Sequence, residues 1–313
     1  MKRLNELNDG EKVKIKVLLQ SVQRGVTNKG APYLSLVLQD CTAAMDAKYW
    51  NVSEEALHLY QPGMLVEVSG DVLSHNKQLQ IRVNALQILD RSTIDLRDYV
   101  KASSLSKAEL KEQIAQVVEG IKNDEIRNLI SHVVAHYERD LYSYPAASKN
   151  HHAFVGGLAT HILEMVKLGR FICTMFPFLN EDLLIGGIIL HDLGKLEELS
   201  GPVITEYTVE GKLLGHISIM QAEVARIAAE LHTDKEVETL LRHMILSHHG
   251  QKEYGSPVLP MIPEAEVLYF IDNLDARMNT LENLMKTVEP GEFSARVFSL
   301  EQRSFYQSKL KKA

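Results

Sequence analysis

Residues 183–195, LLIGGIILHDLGK, decide how the second half of the chain is read. From Leu183 to Leu190 no side chain is polar, so a helix over these residues has no solvent face and belongs inside a core. His191 and Asp192 follow where that helix runs out. Burying an imidazole and a carboxylate there is costly unless something satisfies both, and a divalent cation is the economical partner. Lys195 has two readings. It either reaches a phosphate oxygen or leaving group of a substrate, or is a cation favoured at a helix C-terminus by the dipole.

Working outward, residues beyond 105 read almost entirely as helices, beginning at SKAELKEQIAQVVEGI, where Ser106 and Glu109 have capping-box spacing. EDLLIGGIILHDLGKLEEL reads as one helix, and VITEYTVEG as a small hairpin. Ligand-type residues recur in or beside apolar helical stretches: His161 in GGLATHILEM, His216 in LLGHISI, His248 and His249 in LSHHG, and Asp272 in LYFIDNLDAR. The spacing leaves open which of His248 and His249 serves. His151 and His152 precede the helix of His161 and are expected to face the same cavity as a phosphate or proton-transfer contact, with one of the two structural instead. Asp275, one turn past Asp272, shares its face and is placed to orient an imidazole, or else to form an intrahelical ion pair. Cys41 and Cys173 stand far apart in sequence and outside any CxxC pair, so a thiolate zinc site is not expected. Imidazole with carboxylate suits Mn²⁺, Fe²⁺, Co²⁺ or Zn²⁺, and two such ions activate water and clamp the oxygens of a phosphoester.

The first 90 residues read differently. VKIKVLLQSVQ, YLSLVLQD, AMDAKYW, MLVEVSGDVLS and LQIRVNALQIL are strand-like runs with period-two alternation. Tips fall at Asn28-Lys29-Gly30 and His75-Asn76-Lys77, and SEEALHLYQPG after the third run reads as a short helix. Five strands with a helix after the third is the order of an OB-fold, whose second and third strands bind oligonucleotides or oligosaccharides. Tyr33, Tyr49 and Trp50 lie on or beside those strands, either as a base-stacking platform or as barrel packing. Arg24, Lys29 and Lys48 are candidate phosphate contacts, or plain surface charges.

The expected organisation is therefore a β-barrel over 1–90, a linker over 91–105 and an all-α domain over 106–313. Net charge is −7, but residues 1–90 hold ten Lys/Arg against ten Asp/Glu, leaving 24 against 31 beyond. With no strongly basic surface, nucleic-acid binding must come from local placement and stacking. No apolar run approaches the roughly 20 residues that span a bilayer, and the polar start is no secretion signal, so a cytoplasmic location and no membrane partner are expected.

The ordered set KNHHAFVGGLATHILEM, ILHDLGKLEEL, LLGHISIM, ILSHHG and YFIDNLDAR resembles the HD-domain metal phosphohydrolases. With the barrel before it, nearly the whole chain is similar to the YhaM family of bacterial 3′→5′ exoribonucleases. The resemblance implies a ligand quartet of His161, His191, Asp192 and Asp272, with His216 and His248 holding a second ion and Asp192 bridging. It further implies release of nucleoside 5′-monophosphates from single-stranded RNA, with single-stranded DNA a second candidate, and Mn²⁺ as the favoured ion. It is also compatible with a homo-oligomer, though no heptad gives a number. Two other functions remain: a phosphohydrolase of small or cyclic nucleotides, and a non-catalytic nucleic-acid binder.

Overall fold

A strand of fifteen residues can serve two neighbours in a small barrel only if it bends. The computed structural model describes residues 2–75, 78–90, 98–147, 152, 154–202 and 205–310. In it β1, Lys12–Val26, shifts register between Leu19 and Ser21. Its first half, Lys12 to Leu18, pairs antiparallel with β4 (Leu65–His75), and from Leu18 on, across the bulge, it pairs with β2 (Pro32–Gln39). The extra residue sharpens the local twist. β3 (Ala44–Trp50) follows β2 and closes in parallel on β5 (Gln78–Ile88), so the barrel order is β1-β2-β3-β5-β4 and no strand edge is left open.

Alternation fills the interior with Ile15, Val17, Leu34, Leu36, Leu38, Val66, Val68 and Ile81. Between β3 and β4 lies α1, Glu54–Leu59, N-capped by the Ser53 hydroxyl, which accepts the Ala56 N–H. Asp40 pins the β2–β3 turn: its buried carboxylate accepts from the backbone of Leu4, Thr42 and Ala43 and from the Thr42 hydroxyl, at 2.6–3.0 Å. This is the OB-fold, with the helix where the strand pattern predicts it. The expected tip at Asn76 and Lys77, and 91–97 of the expected linker, lie outside the described residues.

The residues group into two compact units, Met1–Ser104 with Gly201–Ile204, and Leu105–Ser200 with Thr205–Ala313. In the second, α2 (Lys107–Glu119), α3 (Asp124–His136), α4 (Glu138–Leu141) and α5 (Gly157–Met175) lead to α6 (Glu181–Leu190). The Ser106–Glu109 capping box is present. Every residue of α6 from Leu183 on is buried. Gly187 leaves room for the Met244 side chain of α9 (Lys235–Ser247), whose Cε would lie 2.2 Å from a Cβ there.

Three departures from the expected helices matter for the site. The helix expected over 181–199 breaks: residues 191–194 form a turn and α7, Lys195–Glu198, begins anew. Lys195 therefore opens a helix, and the C-terminal dipole reading of its charge is withdrawn. The expected hairpin over 203–211 reduces to one bridge, Leu199 to Tyr207, after which Thr208 caps α8 (Val209–Leu231); Val203 and Ile204 lie outside the described residues. Within α8, Gly215 leaves the helical region (φ 73, ψ 151) and redirects the chain just before His216. After α10 (Pro263–Met285) come a 3₁₀ turn, Phe298–Leu300, and the bridges Phe293 to Tyr306 and Val297 to Arg303.

Candidate functional site

The turn that follows α6 aims His191 and Asp192 inward. The Nδ1–H of His191 donates to the Ile188 carbonyl at 2.8 Å, because a carbonyl can only accept. That fixes the tautomer and leaves Nε2 a lone pair, 3.3 Å from Asp192 Oδ2. The same device recurs on three other elements. His161 of α5 gives Nδ1–H to Asp275 (2.6 Å), His216 gives it to Glu198 (3.2 Å), and His248 at the end of α9 gives it to Ile245 (2.8 Å).

Their Nε2 atoms meet around two carboxylates. His161 Nε2 lies 3.2 Å from Asp272 Oδ1 and 4.0 Å from Asp192 Oδ2. On the other side of Asp192, Oδ1 lies 3.5 Å from His216 Nε2 and 3.7 Å from His248 Nε2. His161, His191 and Asp192 thus present donor atoms within 4.8 Å of one another, and so do His216, His248 and His249.

The donor set fits divalent cations. Among the described residues the buried Nε2 atoms of His191, His216 and His248 and Oδ1 of Asp192 have no hydrogen-bond partner, an arrangement costly for a buried core unless a cation draws on those lone pairs. Charge state agrees. Burial would raise the Asp192 carboxyl, but Lys195 and His191 hold it well below the carboxylate range. Asp272, resisted by burial and stabilised by His161, is likewise held low. Burial, with His191 and His249 beside it, keeps His248 neutral. His161 is opposed by burial yet raised to about 9 by Asp272 and Asp275, so a cation must displace its proton.

Lys195 sits 2.6 Å from Asp192 Oδ2 with its side chain 13% exposed, at the rim of the cluster. His249 gives Nδ1–H to the Tyr254 carbonyl at 2.8 Å, and only His248 of the pair is fully buried. His152 corrects an expectation. It does not face the cavity as a phosphate or proton contact: it is 1% exposed and donates Nε2–H to Asp275 at 2.8 Å. His151 lies outside the described residues.

Asp275 is the hub of this outer layer, accepting from both His152 and His161 through one oxygen. Its helix neighbour Asn279 accepts the His152 backbone N–H at 3.0 Å. The sequence reading missed Asn279, although its position one turn beyond Asp275 was a usable signal. Glu198 was also missed: it accepts both the backbone N–H and Nδ1–H of His216, at 3.1 and 3.2 Å. Nothing in KLEELS marks it, because the contact depends on where Gly215 turns the chain.

Gly194 is the third unforeseen element. A Cβ there would lie 2.2 Å from the His216 carbonyl oxygen, so the backbone carrying His216 passes directly over this position. A cavity of about 620 Å³ opens onto the cluster through His249 and Asp272, and Tyr254, Tyr269, Arg277, Phe298 and Glu301 also line it. Of these wall residues only His249 and Asp272 were singled out from sequence.

On the barrel, Tyr33 and Trp50 are register partners on one face, their ring centroids 4.7 Å apart. Lys48 Nζ lies 5.5 Å from the Tyr33 centroid and donates to Ser35 at 2.6 Å. Gly25 makes room: a Cβ there would stand 2.4 Å from the Tyr33 ring. Tyr49 is corrected from platform to packing. It pairs with fully buried Leu34 on the opposite face and packs against the core, its ring 6.5 Å from Tyr60. Arg24 also pairs with Leu34, so strand alternation sets it apart from the Tyr33 face, and it is exposed.

Comparison with known proteins agrees with both units. Residues 158–277 match the HD domain family and residues 13–89 the OB-fold nucleic acid binding domain family. The second OB-fold domain of replication protein A from Methanococcus maripaludis is 24% identical, over 30% of this chain and 98% of that one, with a TM-score of 0.24. PriB from Ralstonia solanacearum is 14% identical over 25% and 97%, with a TM-score of 0.23. A single-stranded DNA binding protein from Thermus aquaticus is 16% identical over 27% and 42%, at 0.24. The chain thus joins an OB-fold nucleic-acid-binding domain to an HD domain, a pairing that points to a metal-dependent hydrolase of the HD superfamily acting on nucleic acid. No helix among the described residues is long and apolar enough to cross a membrane.

Proposed function

We propose that this protein is a 3′→5′ exoribonuclease of the YhaM type, releasing nucleoside 5′-monophosphates from single-stranded RNA and accepting single-stranded DNA as a second substrate class. The observation that carries the reading is the set of imidazoles whose Nδ1–H is spent on an acceptor while Nε2 turns toward Asp192 or Asp272. His161, His191, Asp192 and Asp272 would hold one ion, and Asp192, His216 and His248 a second, with Mn²⁺ the proposed metal. Bound there, such ions supply Lewis acidity and an activated water for phosphoester hydrolysis.

The chain's own residues divide the remaining work. Asp275 and Glu198 keep the ring of His161 and of His216 in orientation, and His152 steadies Asp275. Lys195, paired with Asp192, is the cation at the rim that would meet phosphate or leaving-group charge. On the barrel, Tyr33 and Trp50 with Lys48 offer a sequence-tolerant stacking face for a flexible strand. Covalent linkage of the two domains raises the local concentration of strand ends.

Incubation of 5′-labelled single-stranded RNA with Mn²⁺ should give a ladder descending one nucleotide at a time. Cleavage at internal positions alone refutes the exonuclease. Hydrolysis of mononucleotides with intact oligomers would favour a small-nucleotide phosphohydrolase, and strand binding without hydrolysis a binding protein.

A further inference from the structure

One wall of the cavity at the metal cluster has no part in the chemistry above. It is built by Arg277 of α10 and by the segment that follows α10, through Phe298 and Glu301. The volume of about 620 Å³ lies within the range of small-ligand sites. Phe298 is 86% exposed, a large apolar ring left uncovered at the mouth. Arg277 is gripped by both oxygens of Glu301, at 2.8 and 2.9 Å, and Glu301 also meets Arg303 at 2.6 Å.

This grip is maintained against local preference. Glu301 and Gln302 both occupy the left-handed region (φ 52 and 56), inside the turn closed by the bridge between Val297 and Arg303. Such turns favour Asn and Gly, and an exposed ion pair repays little of that strain. Strain held next to a cavity is a pointer to use.

We propose that this cleft seats the terminal nucleotide of the strand, its base stacked on Phe298 and one of its phosphates taking the Arg277 guanidinium over from Glu301. This deepens the exonuclease reading and rests on it. An aromatic face accepts any base, and a guanidinium fork matches two phosphate oxygens as it matches a carboxylate. In the free protein Glu301 stands in for that phosphate and keeps Arg277 extended into the cleft. Its side chain is 60% exposed, so it can swing to solvent when the anion arrives.

The test uses the full chain with Mn²⁺ and two sets of 5′-labelled oligonucleotides, one ending in a normal 3′ nucleotide and one in an abasic residue. The wild type should prefer the normal terminus by roughly tenfold in KM, and Phe298→Ala should abolish that preference while leaving the rate on the abasic strand unchanged. Glu301→Gln should lower KM, by about threefold, since it frees Arg277 for phosphate at the charge-assisted strength of such a bond; Arg277→Gln should raise it. A preference that survives in Phe298→Ala, or a KM that rises in Glu301→Gln, overturns the proposal and leaves the exonuclease standing. A wild type that trims neither strand sinks the exonuclease reading itself, and this proposal with it.

Discussion

Adding one methyl group at Gly194 should disable the metal cluster without removing any ligand. Gly194 has φ −59 and ψ −17, ordinary helical values, so alanine meets no backbone penalty and the effect is steric alone. Its Cβ would stand 2.2 Å from the oxygen, 2.9 Å from the carbonyl carbon and 3.1 Å from the Cα of His216, against ordinary contact beginning near 3.4 Å. Relief requires the His216 backbone and the 191–194 turn to part by about 1 Å, a displacement that costs on the order of 100-fold when it separates reacting groups. Overpacking of this kind should also cost about 1–3 kcal/mol of stability. The assay is Mn²⁺ affinity by equilibrium dialysis beside the rate of ladder formation, with Gly201→Ala, where a Cβ meets nothing within 4 Å, as control. Gly194→Ala should lose both affinity and rate while the control keeps both. A Gly194→Ala protein that binds two ions and trims at the wild-type rate would refute the placement of His216 against Asp192.

Asp275→Asn keeps the shape of the hub but removes the charge that His161 and His152 lean on; ion affinity should fall by about 10–100-fold, measured by dialysis. Asp40→Ala should cost the barrel on the order of 2–3 kcal/mol, because the buried Leu4 N–H and the part-buried N–H groups of Thr42 and Ala43 lose their acceptor. The only tryptophan, Trp50, reports this unfolding by fluorescence. Burial opposes ionisation of Asp40, but its donors win and the carboxyl is held below its ordinary 3.8. Its stabilisation is therefore present above about pH 4 and lost as pH falls through the lower folded value, a component the alanine variant should lack in urea titrations from pH 3 to 7. Tyr33→Ala and Trp50→Ala should each weaken strand binding by about 1–3 kcal/mol in filter assays, whereas Tyr49→Phe, on the core face, should leave it unchanged.

What could be read from the chain was whatever residue identity alone determines. Alternation over the five runs specifies strands, and the closed order follows once Gln20 bulges. An apolar α6 ending in His191 and Asp192 announces buried ligands wherever it lies. Illegible were features set by backbone direction. The break at Gly194, the turn at Gly215 and the recruitment of Glu198 depend on two segments passing within contact distance, which no local pattern encodes. Tyr49 and Trp50 are adjacent in sequence, and alternation sends one of them to each face; which face is inner is decided by the buried partner, Leu34. Similarly, nothing in the irregular segment after α10 was singled out from sequence, yet it supplies a wall of the cavity.

The central claim is that Asp192 joins two clusters of imidazole into one dinuclear centre. Metal content of the full chain after Mn²⁺ loading, by mass spectrometry, tests it most directly when wild type and Asp192→Ala are compared. Two ions per wild-type chain, at most one weakly held ion in the variant, and loss of RNA trimming with strand binding retained are the predicted results. Full metal content in Asp192→Ala, or an undiminished ladder, would contradict the account.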